Sequence, residues 1–243
     1  MGAGRPLLRP ELPEMKTATV QHQLARRTDP PEALDRATRM VVAVLGALVG
    51  AAGIEHGVGE MLQGPVRPDG LLIMSWPDAA ALEVLSGEPA MTIIPDLRVT
   101  GLLAVAVGMT ILVWSIGFVA RRHGGSVLIG LSVLSLLLGG GLAPPAMGIV
   151  VGLVAARIGA PPGRRPGPLL RRLAPVWRWF LTAALVGYLG LMPGTLLAHA
   201  WGVADEALVI GLGAVAFVGF GLALAAARAH DRLQATAHER SPA

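Results

Sequence analysis

The sequence predicts an all-α integral membrane bundle of about six transmembrane helices, and three observations carry that prediction. The 243 residues are 53% hydrophobic and only 15% charged, with a mean hydropathy of +0.60. Soluble domains carry about 25% charged residues. The apolar residues fall in blocks close to the roughly 20 helical residues that cross a hydrocarbon core of about 30 Å. The Lys and Arg residues sit almost entirely between alternate blocks, the pattern of cytoplasmic loops.

The first 39 residues are polar, basic and interrupted by Pro6, Pro10, Pro13, Pro30 and Pro31. No apolar stretch follows the start closely enough to serve as a secretory signal. This segment reads as a flexible cytoplasmic tail. The transmembrane domain covers 40–227, with spans near 40–60, 98–120, 126–142, 145–158, 176–200 and 207–227. A loop over 63–96 lies outside, and 228–243 form a cytoplasmic C-tail.

The block over 126–158 is too long for one span and is broken by "GGGLAPP". Arg121 and Arg122 precede it, and Arg157, Arg164, Arg165, Arg171, Arg172 and Arg178 close or follow it. Both flanks therefore belong on the inner side, so the block must return to the face it left. Two short spans with a turn at 143–146 fit better than a re-entrant hairpin. With both termini inside, 18 of the 20 Lys and Arg residues are cytoplasmic, all but Arg67 and Arg98. The outer loops carry Asp69, Asp78, Glu83, Glu88, Asp96, Asp205 and Glu206 instead.

The outer loop has structure of its own. "LLIMSW" ends in Trp76, which suits the interface. Pro77 then precedes "DAAALEVLSG", a short amphipathic helix with Gly87 as its stop. This loop is expected to cap the outer face, and Pro95 to fall in the first turn of span 2. Arg172, Trp177, Arg178 and Trp179 mark the inner interface before span 5.

Polar residues within the spans define the candidate site. In "GAAGIEHGVGEMLQG", at 100° per residue, Gly46, Gly50, Gly53 and Gly57 make one stripe suited to close helix packing and, between copies, to a homo-oligomer. His56 and Glu60 lie beside the stripe, one turn apart, while Glu55 falls on the far side from it. Charge at this depth is expensive and marks function by default. A substrate or proton path is expected at Glu55, His56 and Glu60, together with the helix break at Gly139, Gly140, Gly141 and Pro144. His199, near the outer end of span 5, could join His56 and Glu60 as ligands to a metal ion, or pair with His56 around a haem.

The three phrases "GIEHGVGEMLQG", "TIIPDLRVTG" and "GGGLAPPAMG" together resemble a family of small, uncharacterised prokaryotic multi-span membrane proteins. The resemblance covers roughly 40–158. It implies a multi-pass protein of a prokaryotic inner membrane and no particular activity.

Several functions are disfavoured. There is no cysteine, hence no disulfide, thiolate ligand or cysteine nucleophile. No nucleophile elbow, P-loop, dinucleotide fingerprint or kinase motif occurs, so the reading leans away from an enzyme. The pI near 10.8 reflects membrane orientation, and four Phe with one Tyr offer little base stacking, so nucleic acid is not an expected partner. The lipid bilayer is. The leading expectation is a small transporter or channel-like protein for a proton-coupled or small polar solute. The alternatives are a metal- or haem-binding membrane protein and a non-catalytic scaffold.

Overall fold

The computed structural model describes residues 35–77, 88–160, 165–194, 197, 201–202 and 206–238. His199, the amphipathic helix expected after Pro77, and nearly all of the N-terminal tail lie outside the described residues. The described chain is mostly helical. Helix α1 is Arg36–Leu62, and a two-stranded antiparallel ribbon follows, β1 Leu72–Met74 with β2 Pro89–Met91. Then come α2 (Leu97–Gly117), α3 (Gly124–Leu137), α4 (Ala143–Ala155), α5 (Pro168–Leu173), α6 (Trp177–Leu189) and α7 (Glu206–His238). A 3₁₀ turn at Ala174–Val176 leads into α6, and a π-helical turn at Gly190–Gly194, containing Pro193, ends it.

Helices α1, α2 and α7 are long and apolar enough to cross a membrane. The bundle also wears its apolar side outward. On α2, Leu102, Met109, Val113 and Ile116 share one face and are half or more exposed. In water such a face would drive association. Against lipid tails it is matched.

The glycine stripe explains the tightest contact. Gly50 faces the backbone of Gly108, and Gly57 faces that of Gly101. A Cβ at either α1 position would lie 2.6 Å from a carbonyl oxygen of α2. Small residues on both helices thus let two backbones approach closely. Gly46, Gly50, Gly53 and Gly57 are all buried, so the stripe is used in packing within the chain.

Helix α2 starts one residue earlier than expected. Asp96 caps it, its Oδ1 accepting from the N–H of Val99 at 3.0 Å. Pro95 therefore stands before the cap rather than in the first turn. The block over 126–158 forms α3 and α4, of 14 and 13 residues, about 20 Å each. The break between them spans 138–142, slightly earlier than the expected 143–146. Pro144 and Pro145 lie in the first turn of α4, where a missing N–H leaves no helix bond unmade.

The turn between α3 and α4 is irregular backbone, and the ribbon satisfies it. Gly139 N–H donates to Met91 O at 2.9 Å, Leu142 N–H to Pro89 O at 3.1 Å, and Ile93 N–H to Leu137 O at 3.1 Å. The segments carrying "TIIPD" and "GGGLAPP" are therefore hydrogen-bonded to each other. At the opposite end of the bundle, Asp231 of α7 caps α1. Its carboxylate accepts from the N–H groups of Ala37 at 3.1 Å and Thr38 at 2.7 Å.

Candidate functional site

A cavity of about 250 Å³ lies among α1, α4, α6, α7 and the start of β2. Its α1 wall is Leu45, Leu48, Val49, Ala52, Glu55 and His56. These residues follow i, i+3, i+4, i+7, i+10 and i+11, a single helical stripe. Glu55 is on the far side of the helix from the glycines, as the wheel predicts, but Glu55 and His56 both belong to one cavity-facing stripe. Most other lining residues are apolar, among them Pro144, Met147 and Phe220, with Tyr188 of α6 as a polar exception.

The polar end of the cavity is built on His56. Its Nδ1 lies 3.0 Å from Ala52 O and 3.1 Å from Glu55 Oε2. A carbonyl can only accept, so Nδ1 carries the proton, and in the neutral ring Nε2 presents a lone pair. That lone pair faces Glu88 Oε2 at 3.7 Å. The side chains of His56 and Glu88 are only 7% and 6% exposed, and Glu55 is 24% exposed. Among the described residues, neither Glu55 Oε2 nor Glu88 Oε2 accepts a hydrogen bond. Burial pushes the Glu88 carboxyl up to about 8, with the nearby imidazole acting in the opposite sense.

Glu88 reaches the site through an unusual backbone. Its φ of 55° is in the left-handed region, which costs a residue with a side chain about 1–3 kcal/mol. Its carbonyl accepts from Ser75 N–H at 3.1 Å, which ties this strained residue to the ribbon.

Gly141 closes the site from above. Its φ is +84°, and a Cβ there would lie 2.6 Å from His56 Nε2. Gly139, with φ +91°, lies directly over the Glu60 carboxylate. Glu60 itself is fully buried and turns away from the cavity, accepting from Ser75 Oγ at 3.3 Å. Thr92 and Thr100, whose hydroxyls are 3.0 Å apart, complete this second polar patch.

The expected residues are thus placed as follows. Glu55, His56 and Pro144 line the cavity, and Gly141 packs on His56. Glu60 and Gly139 form the neighbouring patch, and Gly140 packs on Ser135. Among the described residues, the group able to share one metal ion is Glu55, His56 and Glu88, whose ligand atoms lie within 4.8 Å of one another. Glu60 is not part of that group. Sequence reasoning missed Glu88, because a glutamate in a polar loop carries no mark of burial. It also passed over Tyr188, although the only tyrosine of the chain, set within an apolar block, was a usable signal.

No family model, no curated protein and no solved structure matches the chain.

Proposed function

We propose that this chain is a multi-pass membrane protein, of the transporter or channel-like class, that binds a small solute in the cavity among α1, α4, α6 and α7. The carrying observation is a buried carboxylate–imidazole cluster, with two carboxylate oxygens lacking hydrogen bonds, at one end of an otherwise apolar cavity. A volume near 250 Å³ lies below the ~300–1,000 Å³ of pockets for drug-sized ligands. The solute is accordingly small, with an apolar body and one polar head that meets Glu55, His56 and Glu88.

The same proposal places both termini inside, with six crossings in a prokaryotic cell membrane. Charge placement supports the orientation. Register supports the count. Leu128 packs at the level of Gly46, Ser135 at that of Gly53, and Gly139 at that of Glu60. The short α3–α4 hairpin thus runs beside most of α1 and reaches its far end, where the ribbon covers the turn.

The test is uptake into proteoliposomes with a labelled panel of small amphiphilic amines, alcohols and carboxylic acids. Saturable uptake of at least one member is expected, and Met147→Trp, which puts a larger side chain on the apolar wall of the cavity, should suppress it. If no panel member shows saturable uptake, or Met147→Trp transports normally, the reading fails.

A further inference from the structure

We propose that Glu55, His56 and Glu88 hold one divalent first-row metal ion at the polar end of the cavity, with its open coordination positions facing the cavity. The geometry around His56 carries this. With Nδ1 committed to Ala52 O, Nε2 points an unshared pair at Glu88 Oε2 across 3.7 Å. Two acceptors facing each other in a buried site repel unless a proton or a cation lies between them, and a metal ion binding here would displace that proton. Two ligands at ~2.1 Å from a tetrahedral ion stand ~3.4 Å apart, close to the spacing found here.

Other features agree. Glu88 is more than nine-tenths buried, and its Oε2 accepts no hydrogen bond among the described residues. Ionising the buried Glu88 carboxyl beside the partly buried Glu55 is costly. A dication cancels their charge. The backbone carbonyl of Ala52 on Nδ1 forms the kind of outer support that fixes the ring of a ligating histidine. Gly141 keeps free the space beside Nε2 that any side chain would enter. One imidazole nitrogen with carboxylate oxygens suits Zn²⁺, Mn²⁺ or Fe²⁺ rather than a soft ion.

The inference rests on the solute-cavity reading in one respect: the open positions face the lining, where a solute's oxygen donor would complete the coordination. The metal itself is tested separately. The full-length protein in detergent is stripped with chelator and titrated with Co²⁺. One cobalt per chain is expected, with visible ligand-field absorption. His56→Gln and Glu88→Gln should weaken binding by at least ~10–100-fold, the loss seen even for outer-shell partners. Glu60→Gln should leave it unchanged. Should the cluster variants not fold, pulsed electron paramagnetic resonance of the unaltered protein loaded with Cu²⁺ reads the ligating imidazole nitrogen directly. Absence of stoichiometric cobalt, retention of cobalt by both folded cluster variants, or no imidazole coupling overturns the proposal. Uptake by a protein that takes up no stoichiometric cobalt refutes the metal site alone. Metal bound without any uptake refutes the solute reading alone.

Discussion

Gly141→Ala tests the close packing of the α3–α4 turn on His56. Two effects add at this position. At φ +84° a Cβ introduces left-handed backbone strain of about 1–2 kcal/mol. The same Cβ would also lie 2.6 Å from His56 Nε2, and relieving such overpacking typically costs about 1–3 kcal/mol. Gly64 supplies the control. Its φ is +82°, yet nothing lies within 4 Å of a Cβ built there. Gly64→Ala therefore carries the strain without the clash, and the gain from a stiffer unfolded chain is the same for both. Equilibrium unfolding in mixed micelles should show Gly141→Ala less stable than Gly64→Ala by about 1–3 kcal/mol. Two variants equal within about 0.5 kcal/mol, inside the usual scatter for surface changes, would show that Gly141 does not pack on His56.

The other predictions concern packing, capping and topology. Gly57→Ala should destabilise the α1–α2 pair, because its Cβ would meet Gly101 O at 2.6 Å. Gly53→Ala, with its Cβ at 3.5 Å from Ser135 Oγ, should be neutral or raise stability by up to ~1 kcal/mol through helix propensity, and the same unfolding assay ranks the pair. Asp231→Ala removes two charge-assisted bonds to the first turn of α1 and should lower stability by about 2–4 kcal/mol, with Asp231→Asn retaining part of it. An unchanged unfolding midpoint for Asp231→Ala would disprove the cap. Single cysteines replacing His123 and Pro168 should be shielded from an impermeant reagent in intact cells, while one replacing Asp69 should react. Labelling at 123 or 168 contradicts the proposed orientation.

Much of the site was legible before the fold. A histidine and two glutamates in an apolar block, and a Gly-Pro break in another, announce themselves because each is costly in lipid. Their grouping was not legible. Glu60 is one turn from His56, yet it turns away beneath Gly139, while Glu88 crosses from the ribbon to face the imidazole. Capping shows the same limit. Asp35 is the natural N-cap of α1 by position, but its Oδ2 accepts from Gly159 N–H, and the residue that caps α1 is Asp231.

By itself the sequence determined the helical class, the periodic glycine stripe of α1, the break near 139–145 and the segregation of positive charge. Each of these follows from local period, block length or composition, which chain order records directly. Tertiary structure alone decided that the stripe meets Gly101 and Gly108, that the ribbon pairs with the α3–α4 turn, and that Glu88 rather than Glu60 completes the cluster around His56. Those outcomes depend on which distant segments pack together. A buried group takes its partners from whatever the fold brings within a few ångströms, and spacing along the chain does not encode that distance.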